Sequence, residues 1–280
     1  MTTKAKKVVK ITSIVLAAIL LVCVIMAAIV LLPQFRKKGT RYESTREIEN
    51  GSVQMIAHRG LSGLKLENTV EAFTEAGLHS YYGIETDVRV TGDGKFILFH
   101  DDDLSRIAGL DTKIAETPFE ELRALRFDDP YGESENVYYL PTMEEYYAVC
   151  KAFDKQAILE LKGDMTADQV KQIADIVVAE GWFERTTFIS FSRELLLYLR
   201  AAYPTAEAQY IVQYCKQEDV DFMIEHKIDA NLCFISVTPS RVRALHKAGR
   251  KVNCWTIDGA TCAWYMKLCG VDFITTNVLE

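Results

Sequence analysis

Two carboxylates, Glu85 and Asp87, stand one residue apart within the β-like run Ile84–Val90. In a strand, positions i and i+2 share a face, so both acids project together. The turn Thr91-Gly92-Asp93-Gly94 follows, and a second β run, Lys95–Phe99, delivers His100 and Asp101 at its end. Hard oxygen ligands beside a histidine are what a divalent cation and a general acid or base require. Taken alone, Glu-x-Asp on a strand is more often a solvated face. The rest of the chain has to decide.

Other run ends carry matching chemistry. Val53–Ala57 leads into His58-Arg59-Gly60, and Ala157–Leu161 carries Glu160 with Lys162 two residues on. Later ends supply Ser190-Phe191, Gln213, Trp255-Thr256 and Thr276-Asn277. Singly, each has a plain reading: a hydrogen-bonded histidine, a surface arginine, a solvated lysine, a core tryptophan. Together, two histidines, three carboxylates, an arginine and a lysine on one rim imply a charged ligand. Glu85, Asp87 and Glu160 offer oxygen only, which suits Mg²⁺ or Ca²⁺ better than Zn²⁺. The cation, Arg59 and Lys162 would neutralise phosphate oxygens, leaving His58 and His100 as general base and general acid. The chemistry implied is displacement at phosphorus.

The elements that must hold this rim are nine β runs, the remaining ones being Thr187–Ile189, Ala208–Val212, Leu232–Ile235, Lys251–Thr256 and Asp272–Thr275. Amphipathic segments separate most of them, which predicts a parallel sheet. The second and third runs are joined by only four residues, too few for a parallel crossover, and form a hairpin. Eight βα units remain, predicting a TIM-like (β/α)8 barrel. A doubly wound sheet would show a Gly-rich turn after its first strand, where this chain has HRGLSG. Phe127–Tyr139 reads as a polar, aromatic surface insertion.

At the N-terminus, residues 11–32 are almost uninterruptedly apolar. A helix of that length spans about 33 Å, enough for a hydrocarbon core of about 30 Å. The run is too long for a signal peptide and ends without an Ala-x-Ala pattern, so it reads as an uncleaved transmembrane anchor at a cell membrane. Four basic residues on each flank leave the orientation open. The predicted organisation is a basic tail (1–10), the anchor (11–32), a linker (33–52) and the barrel (53–280). Residues 1–52 hold nine Lys/Arg and three Asp/Glu; the other 228 hold 23 and 36, a net charge of −13. That field opposes nucleic acid and anionic surfaces. The seven cysteines form no Cys-x-x-Cys pair, so no zinc or redox motif is present, and they read as buried thiols.

In order and spacing, His58-Arg59-Gly60, Glu67-Asn68-Thr69, Glu85-x-Asp87, His100-Asp101, Glu160-x-Lys162 and Trp255-Thr256 resemble the glycerophosphodiester phosphodiesterase family. Asp103-Leu104-x-Arg106 and Pro141-Thr142-Met143-Glu144-Glu145 fit the same pattern. The resemblance implies metal-dependent hydrolysis of a small-molecule glycerophosphodiester to an alcohol and glycerol 3-phosphate on a TIM-like barrel. It implies His58 and His100 as the catalytic pair and Glu85, Asp87 and Glu160 as metal ligands. Arg59, Lys162 and Trp255 would contact substrate, while Glu67 and Asn68 brace the site. Where the family commonly ends in T-D-x-P, this chain has Thr276-Asn277-Val278-Leu279, which bears on substrate preference. Two alternatives are a phosphatidylinositol-type phospholipase forming a cyclic phosphate and an inactive, membrane-tethered binding barrel. A zinc amidohydrolase would need His-x-His on the first strand, which is absent.

Overall fold

The computed structural model describes residues 15–22, 24, 25, 28, 41–130, 132 and 135–280. The chain divides into two units, Met1–Lys38 and Gly39–Glu280. In the first, residues 15–22, 24, 25 and 28 are helical. The rest of the predicted span 11–32, the tail 1–10 and residues 33–40 lie outside the described residues. Among the described residues no helix is long and apolar enough to cross a membrane.

Eight parallel strands of the second unit close into a barrel. Their chain order is β1 (Gln54–Ala57), β2 (Gly83–Val90), β6 (Gln156–Leu161), β7 (Thr186–Ser190), β8 (Glu207–Val212), β9 (Asp229–Cys233), β10 (Val252–Trp255) and β11 (Phe273–Thr276). Each pairs with the next, and β11 pairs with β1 to close the ring. The predicted hairpin is present: β3 (Phe96–Leu98) runs antiparallel to β2, with Arg89 opposite Ile97. Ile56, Ile158, Ile189, Ile211 and Phe273 fill the barrel interior. Each such buried side chain contributes about 1.5–3 kcal/mol.

Helices follow the strands where their caps dictate. Thr69 accepts a hydrogen bond from Ala72 N and starts α1 (Val70–Leu78). Thr142 and Glu145 form a reciprocal capping box ahead of the helix Met143–Ala152, as Thr166 and Gln169 do ahead of Ala167–Ala179.

Three elements differ from the sequence reading. The insertion contains a short antiparallel pair, β4 (Phe127–Asp128) and β5 (Val137–Tyr138). Phe127 and Tyr138 join Leu66, Ile97, Phe99, Leu104 and Leu122 in a satellite core beside β3, so the segment is anchored by burial. Residues 41–50 lie along the barrel's C-terminal segment: Arg46 N donates to Val278 O, Glu280 N to Arg46 O, and Ile48 N to Glu280 O. Main-chain pairing of this kind leaves no trace in side-chain periodicity. β9 begins at Asp229, three residues before the predicted run, because polar Asp229 and Asn231 interrupt its apolar pattern. Asp229 accepts from Lys251 N, and Asn231 faces the interior cleft.

Candidate active site

The first strand ends in a backbone turn that brings Arg59 and His58 to the acids. Arg59 and Gly60 both have positive φ, 56° and 74°. Arg59 is not glycine, and such a conformation costs on the order of 1–3 kcal/mol unless its surroundings hold it. They do: Arg59 N donates to Glu85 Oε2 at 2.7 Å, and Asn68 N donates to Arg59 O at 3.0 Å. Asn68, at φ 52°, then places its amide on Asp87 Oδ2 at 2.8 Å while accepting from Thr86 Oγ1.

Glu85, Asp87 and Glu160 are all buried at the carboxyl end of the barrel, and an oxygen from each lies within 4.8 Å of the others. The register that pairs Asp87 with Glu160 across β2 and β6 makes this possible. Lys162 Nζ sits 3.1 Å from Glu160 Oε1 and 3.5 Å from Asp87 Oδ1; Arg59 Nε lies 3.7 Å from Asp87 Oδ2. Burial, then the charges of Asp87 and Glu160, push Glu85 well above the usual carboxylate range. Burial and the Asp87 charge likewise raise Glu160. At Asp87 burial also opposes the charge, but Lys162, Arg59, His100 and the Asn68 amide outweigh it and hold the carboxyl low. Among the described residues Asp87 Oδ1 has no hydrogen-bond partner beyond the Lys162 ion pair at 3.5 Å. Three buried carboxylates whose oxygens converge within 4.8 Å, one of them without a hydrogen bond, are a donor set that fits a hard divalent cation.

The two histidines flank this cluster with different partners. His58 follows β1, and its Nδ1 lies 2.8 Å from Asn277 Oδ1. Burial, and next the Arg59 guanidinium, push its imidazole down to about 3. His100 follows β3, and its Nδ1 lies 2.7 Å from Asp101 Oδ1. Burial lowers His100 also, against the pull of Asp101 and Asp87. Arg106 Nε donates to Asp101 Oδ2 and its Nη atoms to Glu67, whose Oε1 also accepts from Arg59. Glu67 therefore bridges the arginine of one histidine loop to the arginine supporting the other.

A cleft of about 430 Å³, open mouth included, is lined by His58, Arg59, Glu85, His100 and Glu160 on one side. Ile189, Phe191, Ile211, Asn231, Trp255 and Thr275 line the other. Trp255 packs edge-on against Phe191 with ring centroids 5.6 Å apart, and its Nε1 donates to Asn231 O. Of the residues singled out from sequence, His58, Arg59, Glu85, His100, Glu160 and Trp255 line the cleft, Lys162, Glu67 and Asp87 pair with lining residues, and Asn68 donates to Asp87. Ser190 and Gln213, by contrast, serve the framework: Ser190 Oγ donates to Leu161 O, and Gln213 O accepts from Ser236. Sequence reasoning passed over Asp101 and Arg106 as orienting groups, and Asp258 and Ser62 behind His58. Asp101 and Arg106 had a signal, lying in the His-Asp and Asp-Leu-x-Arg strings. Asp258, 200 residues from His58, had none.

An eight-stranded parallel barrel with a carboxylate triad, two imidazoles and two cations at its carboxyl end defines a hydrolase class that works on anionic esters. The chain belongs to the glycerophosphoryl diester phosphodiesterase family, which it matches over residues 58–280, and is a phosphoric diester hydrolase. It is 28% identical over 237 residues to a glycerophosphodiester phosphodiesterase of Bacillus altitudinis, covering 80% of this chain and 94% of that one. A glycerophosphodiester phosphodiesterase of Caldanaerobacter subterraneus is 26% identical over 226 residues, covering 80% and 93%. Among solved structures, an Oleispira antarctica phosphodiesterase in complex with the product sn-glycerol-3-phosphate superposes with a TM-score of 0.73 at 25% identity, covering 83% of this chain and 96% of that one.

Proposed function

We propose that this chain hydrolyses glycerophosphodiesters to glycerol 3-phosphate and an alcohol with Mg²⁺ or Ca²⁺ held by Glu85, Asp87 and Glu160. The observation that carries this reading is the buried triad within 4.8 Å, flanked by His58 and His100. When bound, a divalent cation polarises a phosphoryl oxygen as a Lewis acid. Arg59 and Lys162 add fixed positive charge beside the same oxygens, and the low-dielectric floor strengthens their effect. His58 takes the proton of the attacking water and His100 gives one to the departing alcohol oxygen. Their partners favour this division. Burial and the Arg59 charge keep His58 neutral, with only an amide oxygen at its Nδ1, whereas the Asp101 carboxylate favours a protonated His100. Trp255 and Phe191 form the wall against which the alcohol packs. The apolar run 11–32 is read as the membrane anchor on its length and composition.

The test is metal dependence. Stripping the full chain with EDTA should abolish release of glycerol 3-phosphate from glycerophosphocholine, and Mg²⁺ or Ca²⁺ should restore it. Activity undiminished by exhaustive chelation would rule out the metal site.

A further inference from the structure

His58 does not meet a carboxylate directly. Its Nδ1 faces Asn277 Oδ1 at 2.8 Å, and the other end of that amide is fixed: Asn277 Nδ2 donates to Asp258 Oδ2 at 2.7 Å. Asp258 Oδ1 meanwhile accepts from Asn277 N at 2.8 Å and Thr276 Oγ1 at 3.2 Å. A carboxylate held by two donors on the Asn277 side leaves the amide one orientation, nitrogen toward Asp258 and oxygen toward His58. An amide oxygen can only accept, so His58 must carry its proton on Nδ1 and turn the Nε2 lone pair to the cleft.

The surrounding loop fixes the same oxygen. Ser62 Oγ lies 2.8 Å from Asn277 Oδ1 and 2.7 Å from His58 O. Gly63 N donates to Asn277 O at 2.8 Å, and a Cβ at Gly63 would lie 2.2 Å from that carbonyl oxygen. The turn after β1 is thus closed onto the turn after β11, with no room for a side chain between them.

We propose that Asp258 acts through Asn277 as a positioning pair that sets the tautomer of His58, the negative charge standing one side chain away from the imidazole. The inference rests on His58 being the base. The pair touches neither substrate nor cation, and its effect falls on kcat.

The test combines imidazole ¹⁵N NMR of the full chain with kinetics, using His58→Gln to identify the His58 signals. In the parent chain, His58 at neutral pH should show a single neutral tautomer protonated on Nδ1. Asp258→Asn frees the amide to turn over, so a mixture of tautomers is expected. A base in the wrong tautomer loses its contribution, so kcat should fall by about 10–10²-fold with KM within about twofold. The double variant Asp258→Asn/Asn277→Asp puts the carboxylate directly against Nδ1 and the amide behind it. It should regain the single tautomer and at least tenfold of the lost kcat. The proposal is overturned if the parent His58 is protonated on Nε2, a measurement that depends on no variant. It is also overturned if Asp258→Asn keeps parental kcat, or if the double variant melts like the parent yet stays as impaired as Asp258→Asn. Failure of the parent chain to hydrolyse any glycerophosphodiester would instead sink the functional reading, and the NMR result would remain independent of it.

Discussion

Glu160→Gln should lower hydrolysis of glycerophosphocholine by about 10²–10³-fold, the equivalent of about 3–4 kcal/mol of transition-state stabilisation. Glutamine keeps one oxygen ligand and removes the charge, so excess Mg²⁺ or Ca²⁺ should restore part of the loss. Glu85→Gln should behave alike. The same changes should have the opposite effect on stability when EDTA is present. Glu85 and Glu160 are raised above their unfolded values by burial and by one another's neighbours. A carboxyl raised in the folded state binds more protons there than when unfolded, so stability falls as pH rises through and above the ordinary carboxylate range. Neutral glutamine removes that penalty, and the metal-free variants should melt higher than the metal-free parent at pH 8. Titrating activity against each cation and recording both melting curves checks the pair of effects. Parental metal affinity in both variants would exclude these two acids as ligands.

The two histidines should separate by leaving group. An alkoxide departs slowly unless it is protonated, while nitrophenolate departs unaided at neutral pH. His100→Ala should therefore lose about 10²–10⁴-fold on glycerophosphocholine and far less on a nitrophenyl phosphodiester. His58→Ala should be crippled on both, because both need an activated water. Steady-state rates of the two variants on the two substrates decide it. The reverse pattern exchanges the roles. Equal losses throughout would place both rings in metal or phosphate binding.

Much of this architecture was legible because it is local. The β-branched runs bounded by Gly, Asp and Asn showed the strands, and the four residues between Val90 and Lys95 forced the hairpin. Glu85, Asp87, Glu160 and Lys162 could be found because alternation puts residues two apart on one face. What escaped reading depends on distant partners. Glu67 lies in one short string in sequence, yet it joins Arg59, 8 positions before it, to Arg106, 39 positions after it. The loss of charge at Asn277 looked like a change in substrate preference. In the fold it is a hydrogen-bonding position behind His58, with Asp258 supplying the carboxylate. Residues 41–50 carry no pattern because main-chain bonds to Val278 and Glu280 hold them. β4 and β5 are two residues each, too short to show a period, and only the satellite core makes them visible.

The most direct measurement is ³¹P NMR of glycerophosphocholine turnover in water enriched in ¹⁸O, with mass spectrometry of the released choline and with Mg²⁺ or Ca²⁺ present. Attack of water at phosphorus should give glycerol 3-phosphate with one ¹⁸O on its phosphate, free choline without label, and no cyclic intermediate. Persistent cyclic phosphate, phosphocholine as the product, or ¹⁸O in the released choline would contradict water-driven cleavage at this site.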